Sequence, residues 1–298
     1  MTPARIAELL DPFLRAPLAL PTLPTDCHSE PANAGEACPE RSRKPALSLP
    51  KGEPAVLSAT QLQNISTYID ILIRWNSRIN LTAIRDPEDI VPRHFGESLF
   101  AARHLFPGGR ADAGKSPALG ESVAPGGGAP SGRAPYEGAP GGRAALKGRV
   151  TGQGEAGALA PEALTLADLG SGAGFPGLPI KLWDPTIALT LIEANHKKAA
   201  FLREVTRALT LTDVNIQNAR AETLTTTFDV VTLRAVEHFE AILSTAAALV
   251  APTGHLALLI SATQQDQACA LLPHFTWSSP APVPHSRSRI LLIARSGQ

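Results

Sequence analysis

The chain has 298 residues, with 27 Lys plus Arg against 27 Asp plus Glu, so its formal net charge is zero. That balance excludes long-range attraction of the whole molecule to nucleic acid and leaves room only for a local basic face. No apolar run approaches the ~18 residues that span a bilayer, and Cys27, Cys38 and Cys269 have spacings that suit neither a disulfide framework nor a zinc site. The opening residues lack the apolar core of a signal peptide. These features lead us to expect a cytoplasmic monomer with no metal and no membrane attachment.

Thr2-Pro3 reads as a helix start, with a capping hydroxyl and Pro in the first turn, followed by Ile6, Leu9, Leu10 and Phe13 at helical spacing. Eight prolines between Pro17 and Pro54 then remove any periodicity, which predicts a flexible linker. Ser58 caps a second helix whose broad apolar face runs from Leu62 to Trp75 and needs a partner surface. A polar turn leads to Asp86-Pro87, the start of a helix carrying Ile90, Phe95, Leu99 and Phe106. Between Pro107 and Pro161 there are 15 Gly and seven Pro, with Tyr136 as the only aromatic residue. Such a stretch cannot bury enough apolar surface to offset its ordering entropy and is expected to be a disordered insertion. Its basic residues, among them Arg133 and Arg143, are further candidates for RNA contact.

From Leu164 onward short β runs alternate with helical patterns. The strands are expected at 165–170, 188–193, 214–219, 228–234 and 255–261, with helices near 196–209 and 237–249. This alternation predicts an α/β fold with a mostly parallel sheet covered on both faces. The last two runs, near 275–283 and 289–294, lack a helix-length connection and are expected to form an antiparallel C-terminal edge hairpin.

The segment LADLGSGAGFPGLPIKL carries the strongest chemical signal. A strand ends at Leu169, glycines follow at 170, 172 and 174, and a helix begins near Pro176. Glycines let the backbone turn tightly and approach a ligand closely, at the carboxyl end of a strand where open sheets bind ligands. Gly172-x-Gly174-x-x-Gly177 formally matches a dinucleotide fingerprint. The form Asp168-x-Gly170-x-Gly172-x-Gly174 instead favours S-adenosyl-L-methionine, with Asp168 near the cationic amino-acid end or holding the loop, and with Ser171 and Phe175 in the same loop. Glu193, at the end of the second strand, can accept both ribose hydroxyls of either adenosine-containing cofactor. Ala221 and Glu222 follow the third strand on the adenine side. Arg220 and Arg234, at the ends of strands three and four, suit phosphate or base contacts, and Lys197 and Lys198 add charge beside Glu193.

With these residues in hand, the chain resembles the RsmG family, also called glucose-inhibited division protein B. The resemblance runs through RWNSRINLTAIRDPEDIVPRHFGESL (74–99), the glycine loop (166–182), LIEANHKKAAFLREV (191–205), NARAETL (218–224) and TLRAVEHF (232–239). It implies a Rossmann-like class I methyltransferase sheet preceded by N-terminal helices. It further implies methyl transfer from S-adenosyl-L-methionine to N7 of a guanine in the 530 loop of small-subunit ribosomal RNA, on naked RNA or the 30S subunit. Under this resemblance Asp168, Gly170, Ser171, Gly172, Gly174, Phe175, Glu193, Ala221 and Glu222 serve the cofactor. Arg220 and Arg234 match the family's basic positions and are read as positioning RNA, with Lys197 and Lys198 added for their local charge. His94 matches the family's N-terminal histidine and is read as packing on the cofactor side, and guanine N7, which carries no proton, needs no general acid or base.

The expected organisation is a short helix at 1–14, a Pro-rich linker at 15–57, helices packed on the catalytic domain at 58–106, an insertion at 107–162 and a cofactor-binding domain at 163–298. Three departures from the family pattern stand out. Glu97-Ser98 replaces Asp-Ser, Ile260-Ser261 replaces Lys-Gly, and Ser288-Arg289-Ile290 replaces Arg-His-Leu. A methyltransferase acting on a small molecule or protein, or a non-catalytic ribosome-binding relic, are the alternatives these departures leave open.

Overall fold

A computed structural model describes residues 1–18, 56–107, 109, 163–234 and 239–297. The expected linker and insertion lie almost wholly outside the described residues, as do Cys27 and Cys38. Helix α1 (Pro3–Arg15) starts where Thr2 Oγ1 accepts from Arg5 N, and it buries Ile6, Leu10, Phe13 and Leu14. Its last carbonyls have no intrahelical partner. Arg103 supplies one, donating through Nη1 to Phe13 O and Ala16 O at 2.9 and 3.0 Å.

Helix α2 (Ala59–Asn76) opens with a capping box in which Ser58 and Gln61 satisfy each other's backbone. Ile65, Tyr68, Ile69 and Leu72 form its buried face. The predicted helix from Asp86 is three consecutive pieces, α3 (Pro87–Ile90), a π-helical stretch (Val91–Gly96) and α4 (Glu97–Leu105). A π turn shifts the register of the side chains that follow it and commonly marks a functional site; His94 lies within this one.

The sheet is Rossmann-like and mixed, with strand order β3-β2-β1-β4-β5-β8-β6. Strands β1 (Thr165–Leu169), β2 (Ala188–Ile192), β3 (Val214–Gln217), β4 (Phe228–Arg234) and β5 (Val250–Ser261) are parallel. Alternate residues face opposite sides. Leu166, Leu189, Leu191 and Val230 join the core shared with α1, α2, α5 (Gly177–Trp183) and α6 (His196–Ala208). Ala167, Ile192, Val231 and Leu233 join the core under α7 (Phe239–Ala248) and α8 (Gln265–Leu271). Burial on both faces is why these strands read as nearly continuous apolar runs.

The C-terminal strands pair antiparallel at the edge of the sheet, as the expected hairpin has it. Strand β8 (Arg289–Ser296) is antiparallel but runs inside the sheet, between β5 and the short edge strand β6 (Phe275–Trp277), and the two-residue β7 (Ala281–Pro282) also pairs with it. Seven consecutive residue pairs join β5 to β8, and the apolar run Ile290–Leu292 is buried on both faces, which an edge position would expose. Helix α8 was not anticipated. Strand β5 also begins five residues earlier than the periodicity indicates, because Pro252 and Gly254 mask its first half.

Order along the sheet reverses between β1 and β4. The crevice at their carboxyl ends is therefore the switch point at which such sheets bind ligands.

Candidate functional site

The loop between β1 and α5 is shaped by backbone that only glycine tolerates easily. Gly170, Gly172 and Gly174 have φ of +64°, +55° and +86°. Ser171 fastens the loop to both flanking strands, its amide donating to Ile192 O at 3.1 Å and its hydroxyl to Asp168 O at 2.8 Å. A Cβ on Gly174 would lie 2.3 Å from the Tyr68 hydroxyl, whereas one on Gly172 would meet only Gly170 O, at 3.6 Å. The space over Gly172 is thus open for a ligand, while Gly174 is packed from behind.

Asp168 is 0% exposed. Its Oδ2 accepts from Gly177 N at 3.2 Å, at the start of α5, and its Oδ1 accepts from the Thr232 hydroxyl at 2.8 Å. Burial pushes the carboxyl up to about 6 despite these hydrogen bonds and the nearby Arg234 charge. Of the two roles open to Asp168 from sequence, this geometry favours holding the loop from beneath.

Glu193 follows β2, and its amide donates to Gln217 O on β3 at 3.0 Å. The carboxylate is fixed by two backbone amides, Gly172 N on Oε2 at 2.8 Å and Asn195 N on Oε1 at 2.7 Å. Each oxygen keeps a further lone pair, so a vicinal diol can still be accepted. Asn218 braces the same turn by donating to the carbonyls of Glu193 and Ala194. Beyond β3, Ala221 is buried in a single 3-10 turn (Ala221–Thr223) flanked by exposed Arg220 and Glu222. Lys197 is exposed and Lys198 half-buried at the start of α6.

The N-terminal helices grip the loop from the other side. Tyr68 donates its hydroxyl to Ala173 O at 2.5 Å. Phe175 stacks with Tyr68 at 5.4 Å and with His94 at 4.8 Å, and Phe95 meets its edge. His94 Nδ1 faces Nη1 and Nη2 of Arg234, each at 3.2 Å, so it must accept, and the ring proton sits on Nε2 toward the Thr82 hydroxyl at 2.8 Å. Burial, reinforced by Arg234, Arg289 and Arg93, pushes the imidazole down to about 3. His94 is therefore neutral and has both nitrogens engaged.

Arg234 ends β4 at the crevice, but it is not the free cation that its sequence position suggests. Its side chain is 9% exposed, and Nη2 donates to Arg93 O at 2.6 Å and to Glu97 Oε2 at 2.9 Å. Sequence reasoning noted Glu97 only as a departure and missed Tyr68, Thr232 and Asn218, whose roles depend on partners distant in the chain. Two further arginines of the N-terminal helices are engaged within the fold. Arg103 is buried under α1, and Arg74 pairs with Glu204 of α6. Ile260 is buried, and the neighbouring Ser261 lies opposite Arg289 in the β5–β8 register.

Among the described residues no group of three His, Cys, Asp or Glu could hold a metal ion, and no helix is long and apolar enough to cross a membrane. An open depression lined by Thr165, Leu189, Asp213 and Phe228 lies at the opposite, amino end of the strands, away from the glycine loop.

Residues 61–115 and 157–281 match the family model described as GidB, rRNA small subunit methyltransferase G. The ribosomal RNA small subunit methyltransferase G of Xylella fastidiosa (strain 9a5c) is 31% identical over 233 residues, covering 76% of this chain and 84% of that protein. The protein of the same name from Chloroflexus aggregans is 33% identical over 206 residues, covering 67% and 64%. Among solved structures, a predicted O-methyltransferase from Agrobacterium tumefaciens aligns with a TM-score of 0.40 at 21% identity, covering 47% of this chain and 77% of that one.

Proposed function

The chain belongs to the rRNA small subunit methyltransferase G family, and from that premise we propose that the β1–α5 loop and Glu193 hold S-adenosyl-L-methionine beside a guanine of the RNA. The activity is methyl transfer from S-adenosyl-L-methionine to a guanine of 16S ribosomal RNA. We assign N7 of a guanine in the 530 loop as the acceptor, and a class I methyltransferase fold to the sheet. We assign a cytoplasmic location and a monomeric state, the latter because the N-terminal helices that cover the loop come from the same chain.

One observation carries the cofactor assignment. The Glu193 carboxylate is clasped to Gly172 N at 2.8 Å, so the acid that would accept the ribose hydroxyls is locked to the open part of the glycine loop. The residues fit the cofactor's chemistry. Bare backbone at Gly172 leaves room for the methionine part, and the Asp168 carboxylate holds the loop in that shape through Gly177 N. Ala221 contributes an apolar wall suited to adenine. When bound, the cofactor supplies an electrophilic methyl group on a sulfonium.

Guanine N7 has an exposed lone pair and no proton at neutral pH. A nucleophile with no proton to lose would require no general base from the chain. The protein's contribution is to place the two reactants in line and exclude water. His94 suits this scheme because it is neutral, has both nitrogens engaged and serves as a packing wall against Phe175. Glu97 and the Arg93 carbonyl hold the Arg234 guanidinium, away from direct contact with a base that becomes cationic. Exposed Arg220 and Lys197, with Lys198, line the outer rim, where RNA phosphate can be met.

The test is to incubate the purified chain with methyl-labelled S-adenosyl-L-methionine and either 30S subunits or naked 16S RNA, then map 7-methylguanine. A single modified guanine in the 530 loop is expected. Label at another position, on protein, or nowhere would sink the substrate assignment.

A further inference from the structure

The Glu97 carboxylate is 1% exposed and has three arginines around it, Arg234 with a side chain 9% exposed, Arg289 25% and Arg93 47%. Among the described residues only Arg234 is hydrogen-bonded to it. Arg93 Nε and Arg289 Nε stand 3.5 and 3.7 Å from Glu97 Oε1, which is ion-pair range but too long for a hydrogen bond. Glu97 Oε1 has no hydrogen-bond partner among the described residues, and Arg234 Nε, also buried, has none either. Glu97 thus holds two partly exposed guanidiniums in place without consuming their donors. Each guanidinium offers up to five N–H groups in a planar fork that matches phosphate.

Charge and position point the same way. Three guanidiniums face two carboxylates, Glu97 and the more distant Asp168, and the neighbouring His94 is neutral. At least one positive charge is left uncompensated against a buried wall, where it attracts an anion more strongly than in water. Arg234 ends β4, and Arg289 opens β8 directly opposite Ser261, the last residue of β5. The cluster therefore occupies the β4–β5–β8 end of the crevice, while the glycine loop and Glu193 occupy the β1–β2 end.

We propose that Arg93 and Arg289, gathered by the buried Glu97, form a receptor for one phosphodiester group of the RNA substrate. This rests on the reading of RNA as substrate given above. The receptor takes the chain on the far side of the crevice from the nucleoside cofactor and so sets where the target base enters. Arg234 completes the cluster from behind and does not reach the phosphate.

The experiment compares Arg289→Ala, Arg93→Ala and Arg289→Lys with the unaltered protein. It measures RNA affinity at several salt concentrations, KM for RNA, and S-adenosylhomocysteine affinity. Each Ala variant is expected to raise Kd and KM for RNA about tenfold and to flatten the plot of log affinity against log salt by about 0.7–1. Arg289→Lys retains the charge and therefore the salt slope, but regains only part of the affinity because the fork is lost. S-adenosylhomocysteine affinity should stay within about twofold in all three. Unchanged salt slopes and KM in the Ala variants would overturn the receptor. An equal loss of S-adenosylhomocysteine affinity would also overturn it, by assigning the arginines to the cofactor's carboxylate. If the unaltered protein neither binds nor methylates small-subunit RNA, the functional reading and the receptor fall together. If it does both and the variants match it, the receptor alone falls.

Discussion

Glu193 Oε2 accepts from Gly172 N at 2.8 Å, so the acid at the end of β2 and the loop after β1 are one hydrogen-bonded unit. Replacing Glu193 with Gln leaves one acceptor oxygen for two amide donors and turns an NH2 group toward the other. We expect Glu193→Gln to weaken S-adenosylhomocysteine binding about 10- to 100-fold, equivalent to about 1.4–2.8 kcal/mol. Isothermal titration reads this directly, and affinity within twofold of the unaltered protein, a change of about 0.4 kcal/mol, would remove Glu193 from the cofactor site.

Two neighbouring glycines should respond differently. At Gly172 a methyl group meets open space, so Gly172→Ala costs only left-handed strain of about 1–2 kcal/mol but intrudes into the space we assign to the cofactor. At Gly174 the same change drives a Cβ into the Tyr68 hydroxyl and Leu178. Gly172→Ala is therefore expected to fold and lose cofactor affinity, and Gly174→Ala to lose both stability and affinity. Thermal melting paired with S-adenosylhomocysteine titration separates them, and identical behaviour of the two variants would contradict the packing described.

Removing the Tyr68 hydroxyl leaves the Ala173 carbonyl without its 2.5 Å donor while the stacked ring remains. Tyr68→Phe should cost about 1–3 kcal/mol and lower the melting temperature by several degrees. Loop order should suffer along with cofactor affinity. Amide hydrogen exchange at Ala173 to Phe175 is the check, and unchanged protection there would mean that α2 does not hold the loop.

Asp168 and His94 make opposite contributions to pH dependence. Burial holds the Asp168 carboxyl at about 6, above its unfolded value near 3.9. Across roughly pH 4–6 the folded protein thus keeps a proton that the unfolded chain releases, and this contribution to stability falls as pH rises. Burial holds the His94 imidazole at about 3, below its unfolded value near 6.5, so the contribution of His94 rises with pH between roughly 3 and 6.5. The two partly cancel. Urea midpoints measured from pH 4 to 7 should rise more steeply with pH in Asp168→Asn and less steeply in His94→Asn than in the unaltered protein. Parallel curves for all three would contradict the burial of these groups.

Much of this site was legible from the chain alone, for a local reason. The alternating glycines report their own backbone, since 170, 172 and 174 all adopt positive φ. Glu193 was legible because the β2 run ends immediately before it. The functions of Asp168, His94 and Arg234 were less so, because each depends on which donor or charge the fold brings alongside. The edge hairpin was legible as two short runs without a helix-length connection, but its order was not, because an inner antiparallel strand and an edge strand can carry similar apolar runs and only the pairing of β8 with β5 puts β6 outermost.

The sequence by itself determined the strand-and-helix alternation, the bare loop after β1 and the acid after β2, since periodicity and glycine placement act within a few residues. Tertiary structure alone decided that Tyr68 reaches Ala173 across 105 positions and that Arg234 reaches Glu97 across 137. Contacts between residues so far apart arise from the packing of buried faces, and no local pattern in the chain specifies which two side chains that packing will join.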